Sequence, residues 1–216
     1  MQIPIPCGFS AKLGALRGAG ILRAPENAEN PMPLLETPDC QFGTKSLDFE
    51  LRGVDGKSRT LASCQGETGT VVMFLSNHCP FVQAINRNLA EDFRVLSELG
   101  VLGVAIMPND TDNYPADSLS NMKQVATSHN YPFPYLIDET QAVARAYGAE
   151  CTPDFFGYND RLELQYRGRL DATTPSNPGI GAERELVNAM IQVVTTGVGP
   201  AVQHCSVGCS IKWKTA

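Results

Sequence analysis

Cys79 stands in the run Ser76-Asn77-His78-Cys79-Pro80, and the sequence changes character on either side of it. Val71 to Leu75 is a short apolar run flanked by Gly69 and Asn77, the pattern of a buried strand. Pro80 suits the first position of a helix, where no amide hydrogen is needed. Ile85, Leu89, Phe93 and Leu96 then recur at helical spacing until Gly100. A cysteine at such a handover meets free amide hydrogens and the positive end of the helix dipole, which favour a thiolate over a thiol. The expected chemistry is that of a nucleophilic sulfur open to solvent. The same junction also suits a small, buried and inert cysteine.

The elements needed to hold that junction are legible along the chain. Leu47, Phe49 and Leu51 alternate with polar residues, Asp55-Gly56 supplies a turn, and Lys57 to Leu61 return as a second strand, giving a hairpin. Val101 to Met107 reads as a second buried strand, and Leu119, Met122 and Val125 mark a helix face after it. Tyr135 to Ile137 form a third strand. Asp138 and Gln141 then resemble a capping box for a helix through Val143, Ala146 and Tyr147 that Gly148 closes. Phe155 to Tyr158 and the alternating Leu162, Leu164 and Tyr166 make a second hairpin, and a last helix runs from about Ala182 to Thr196. The pattern is α/β with a mixed sheet. Residues 1–38, rich in Pro, Gly, Ala and Asn, read as an irregular extension, and 39–216 as the domain.

Composition narrows the function. Hydrophobic residues at 43% allow a core, and the net charge of −6 lacks the positive excess that nucleic acid or an anionic membrane requires. No apolar run approaches the roughly 20 residues that cross a bilayer. Seven irregularly spaced cysteines suit the cytoplasm or another reducing compartment with one or two working thiols. Lys12, Arg17 and Arg23 without an acid in the first 25 residues faintly suggest a targeting segment, against which Pro4 and Pro6 break the helix it needs. His204-Cys205-x-x-x-Cys209 matches no standard zinc spacing, and no phosphate-cradling glycine loop or Gly-x-Ser-x-Gly elbow occurs. No cofactor is called for.

The runs VVMFLSNHCPFV, PNDTDNYPADS, FPYLIDETQAVARAYGAECTPDFF, QYRGRLD and GCSIKW fall in order across residues 42 to 213. Together they resemble the redoxin branch of the thioredoxin superfamily, of the alkyl hydroperoxide reductase and thiol-specific antioxidant type. The resemblance implies a thioredoxin-like three-layer fold: a central mixed sheet with helices on both faces and an N-terminal β-hairpin extension. It implies that Cys79 is the active-site cysteine, and that Thr152-Pro153 is the cis-proline loop facing it. Close relatives read Cys-Asn-His-Cys-Pro, whereas Ser76 replaces the first cysteine here, so the short CxxC disulfide cannot form.

Peroxiredoxins carry Thr or Ser at that place, which makes the Ser76 hydroxyl a candidate partner for the Cys79 thiolate or for a peroxide oxygen. The proline expected four residues before it is Val72. His78 is a candidate for lowering the Cys79 pKa or relaying a proton, or else a packing histidine. Arg167 and Arg169 are candidate cations near the sulfur, or merely solvated. Cys151, expected nearest to Cys79, and Cys205 and Cys209 are candidate resolving thiols, with packing under Trp213 the other reading of Cys209. Two functions follow: an oxidoreductase that reduces peroxide or disulfide through Cys79 and is recycled by an external thiol such as a thioredoxin or glutathione system, or a redox-inactive binding module that has lost its CxxC pair.

Overall fold

A computed structural model describes residues 34–37 and 41–215. Seven strands form the main sheet in the order β3-β2-β6-β5-β4-β8-β9. They are β2 (Glu50–Gly53), β3 (Ser58–Thr60), β4 (Gly69–Phe74), β5 (Val101–Met107), β6 (Tyr135–Ile137), β8 (Asp154–Asn159) and β9 (Leu164–Gly168). The central strands β4, β5 and β6 run parallel, and the strands flanking them are antiparallel. The strand limits read from apolar runs at 101–107 and 135–137 match those observed, because Gly or Pro bounds each run.

Alternation along β4 explains the layering. Val71 and Met73, with Leu75 just beyond the strand, enter one core, and Val72 and Phe74 enter the other. The first core is closed by α2 (Pro80–Glu98), α3 (Leu119–Ser128) and α5 (Glu185–Thr196) through Leu89, Phe93, Met122, Leu186, Met190 and Val193. The second is closed by α1 (Leu61–Cys64) and α4 (Ala142–Tyr147) through Leu61, Ala144 and Tyr147. Gly103 marks the tightest approach of α2 to the sheet, since a β-carbon there would run into the Phe93 ring and lie 3.0 Å from Met73 Cε. Gly103→Ala is therefore expected to cost about 1–3 kcal/mol through overpacking, read as a lower denaturant midpoint with an unchanged slope.

The expected N-terminal hairpin is β2–β3, and it extends the main sheet through pairing of Arg52 with Ile137 and of Gly53 with Leu136. Two expectations change. No capping box opens α4. Gln141 is at φ +62° with its amide on the Pro108 and Lys212 carbonyls, while Asp138 accepts from the Ala144 amide at 2.9 Å. Buried backbone acceptors from a distant tail thus outcompete the local cap. Within the stretch expected to be irregular, Leu34–Glu36 form β1, which pairs with β10 (Val207–Ser210), and β10 in turn pairs with β7 (Cys151–Thr152). Residues 1–33, including the targeting candidates Lys12, Arg17 and Arg23, lie outside the described residues. Among the described residues no helix is long and apolar enough to cross a membrane.

Candidate active site

Cys79 is the N-cap residue of α2 and Pro80 begins the helix; the Cys79 carbonyl accepts the Gln83 amide at 3.0 Å. The sulfur is fully buried, at 0% exposure. This corrects the expectation of a solvent-open thiol. Its neighbours come from β7 and β10, a small second sheet built at the mouth of the helix. As a thiol, Cys79 donates to the Thr152 carbonyl at 3.0 Å. The Thr152–Pro153 peptide is cis.

The balance at this sulfur tips towards the thiolate. Its pKa is lowered from 9.0 to about 6, first by a hydrogen bond from the Cys209 thiol. Burial opposes this, while the Val82 amide in the first turn of α2 and the Cys209 amide add to it. The Cys209 thiol is pushed far up by the same bond and by its own burial, so it keeps its proton while Cys79 carries the charge.

Strand register decides which cysteine faces Cys79. Thr152 stands opposite Cys209 and Cys151 opposite Ser210, so Thr152 and Cys209 share one face and Cys151 lies on the other. There the Cys151 thiol contacts the Pro153 carbonyl at 3.8 Å, and burial, with Asp154 nearby, pushes its pKa up. Cys209, not the expected Cys151, is therefore the thiol that shares the Cys79 core. Cys209 packs in the Cys79 core, whereas Trp213 packs against the opposite one under Arg145, 4.1 Å from its ring centroid. Cys205 is disulfide-bonded and offers no free thiol.

The turn leading into Cys79 is fixed by Asp117, which the sequence reading missed. Asp117 ends the short 3-10 turn Pro115–Asp117 and is fully buried. Its carboxylate accepts from the Ser76 hydroxyl (3.1 Å), the Asn77 amide (2.7 Å), the His78 amide (3.3 Å), His78 Nδ1 (2.7 Å) and Asn109 Nδ2 (2.7 Å). Burial pushes its pKa up, and the His78 and Asn109 bonds more than reverse that, leaving it lowered. Ser76 is thus held by Asp117 and is not turned to the sulfur, a correction to its expected role. His78 is stacked on Tyr114 at 5.5 Å, and its Nε2 is buried without a partner. Asn109 also accepts the Lys212 amide at 2.8 Å, so one asparagine joins the Asp117 cluster to the tail that carries Cys209.

The two arginines are elsewhere. Arg167 pairs with the buried Asp154 at 3.1 Å and lies over the Phe156 ring, and Arg169 pairs with Glu185 at 2.6 Å. Both are held by carboxylates, Asp154 on β8 and Glu185 at the start of α5, and neither has a contact with the sulfur. Among the described residues no group of three His, Cys, Asp or Glu side chains is arranged to hold a metal ion.

Comparison with known proteins agrees with this architecture. A crystal structure of an uncharacterized conserved protein from Geobacillus kaustophilus is 43% identical, covering 86% of this chain and 98% of that one, with a TM-score of 0.80. A hypothetical protein from Sinorhizobium meliloti is 35% identical, covering 84% and 99%, with a TM-score of 0.79. A thiol:disulfide interchange protein of the thioredoxin family from Chlorobium tepidum is 18% identical over 64% and 92%, at a TM-score of 0.51, a likeness of fold alone. No curated protein is similar enough to count as a relative. The fold is thioredoxin-like. The model of the AhpC/TSA family matches residues 42–172, more than half of the chain, and the chain accordingly belongs to that family.

Proposed function

We propose that the protein is a thiol-dependent oxidoreductase that reduces a peroxide or a disulfide through Cys79, recycled by an external thiol of the thioredoxin or glutathione kind. The observation that carries this reading is the Cys79 sulfur at the amino end of α2, its charged form favoured by the Cys209 thiol and two amides. A thiolate is the attacking form of cysteine, and a pKa near ambient pH combines a high thiolate fraction with retained nucleophilicity. Family membership supports the same chemistry. A scaffold kept only for binding has no use for such a bias, because an inert buried cysteine has its pKa raised, as Cys64 and Cys151 do.

The test is the rate of Cys79 alkylation by a small uncharged reagent as a function of pH, located by peptide mapping, together with hydroperoxide and small-disulfide consumption by the reduced protein. The rate is expected to climb as pH rises through about 6 and to be flat by neutrality, since the depressed pKa makes the thiolate dominant above that point. Substrate consumption at neutral pH is expected to accompany it. A midpoint at or above the free value of about 8.5 with no consumption of either substrate would favour the binding module.

A further inference from the structure

We infer that Cys79 and Cys209 form one redox couple, with the C-terminal strand β10 delivering the second thiol that the missing CxxC partner supplies elsewhere. This rests on the proposed chemistry of Cys79 and adds the identity of its partner. Three independent features place Cys209. Cys79 and Cys209 are buried in the same core, and the Cys209 thiol is the first cause that lowers the Cys79 pKa. Cys209 stands opposite Thr152, whose carbonyl meets the same sulfur at 3.0 Å. The tail is fastened on both sides of its cysteine, by pairing of Glu36 with Val207 in β1–β10 and by Lys212, whose carbonyl accepts the Asp110 amide and Gln141 Nε2, both at 2.9 Å.

Among the described residues the alternatives are removed by position. Ser76 occupies the CxxC site and is turned to Asp117. Cys64 lies in the opposite core, and Cys151 faces away across its strand. A disulfide needs α-carbons within about 7 Å, and Cys209 is placed for it by standing opposite Thr152, whose carbonyl touches the Cys79 sulfur.

The reaction balances as two successive displacements. The Cys79 thiolate attacks the outer oxygen of a hydroperoxide; the O–O bond breaks, the alcohol leaves with a proton, and Cys79 becomes a sulfenic acid. The Cys209 sulfur then attacks the Cys79 sulfur. The S–O bond breaks, hydroxide leaves and takes the Cys209 proton as water, and the S–S bond forms. With a disulfide substrate the first step gives a mixed disulfide and one free thiol, and Cys209 expels the other. Two cysteines are oxidised, one peroxide or disulfide is reduced, and an external dithiol returns the couple to its reduced form.

The coupling supplies timing. The negative charge on Cys79 is what chiefly keeps the proton on Cys209, and that charge disappears when Cys79 is oxidised. Cys209 is restrained before the first step and released for the second.

The experiment uses the full chain, reduced and desalted, treated with one equivalent of hydrogen peroxide or of oxidised glutathione, then blocked with an alkylating reagent and digested without reduction. The expected product is a linked peptide pair containing Cys79 and Cys209 that has lost two hydrogens. In Cys209→Ala, Cys79 is expected to accumulate as a dimedone-reactive sulfenic acid or a glutathione adduct, and turnover with a small dithiol to fall at least about tenfold. Wild-type mapping does not depend on that variant's folding. A link from Cys79 to Cys151 or another cysteine overturns the inference. So does a stable Cys79 adduct with Cys209 still alkylated, while the reading of Cys79 as nucleophile survives both results. If Cys79 itself stays reduced under both oxidants, that reading falls as well.

Discussion

Cys79→Ser is expected to abolish peroxide and disulfide turnover, a loss of roughly 10³-fold or more, while leaving the protein as stable as before. The hydroxyl cannot ionise in this range, so neither the Cys209 donor nor the helix amides can make it a nucleophile. Serine is also among the best N-cap residues, and position 79 caps α2 with an extended backbone at φ −71° and ψ 118°. The Thr152 carbonyl remains to accept its proton. Activity and stability are therefore expected to separate, which a merely structural cysteine would not allow. Measuring turnover beside a thermal melt checks this; turnover within a factor of a few of wild type would show that Cys79 is not the nucleophile.

Asp117→Ala is expected to be the most destabilising single change near the site, by about 3–5 kcal/mol, with the melting temperature falling by roughly 10 °C. The carboxylate is fully buried and satisfies donors from Ser76, Asn77, His78 and Asn109. Removing it leaves those donors unpaired in the turn that enters Cys79. It also loosens Asn109, which holds the tail through the Lys212 amide. Asp117→Asn keeps the volume but brings an NH₂ group against donors, so an intermediate loss is expected.

The sign of the pH dependence separates this carboxylate from a neutral spacer. The pKa of Asp117 is lowered in the folded protein, so it contributes stability that is present above its unfolded value near 3.9 and is lost as pH falls through the folded one. Wild type and Asp117→Asn melts are therefore expected to converge in acid. A constant difference down to pH 2 would show that the negative charge is not what matters.

What could be read from the sequence was local. Val71 to Leu75, Pro80 and the spacing of Ile85, Leu89, Phe93 and Leu96 report a strand handing over to a helix because each depends on neighbours within a few residues. That was enough to single out Cys79 and to place Pro80 at the first helical position. The family resemblance added the loop at Thr152 and Pro153, which meets Cys79 through the Thr152 carbonyl.

Side-chain partnerships were the part that stayed hidden. Asp117 sits in a polar run that looks like an exposed loop, yet it is fully buried against Asn109 and the Ser76 turn. Ser76 has the residue type of a peroxidatic partner, but a buried carboxylate is a stronger acceptor than a sulfur and took its proton. By itself, the amino-acid order determined that one cysteine would stand at the mouth of a helix, because hydrophobic period and proline placement act at short range. Only the tertiary structure decided that Cys209, and not Cys151, lies on the face of Thr152. The choice hangs on a two-residue pairing between Cys151–Thr152 and the tail, and a shift of one position would have turned Cys151 to that face instead.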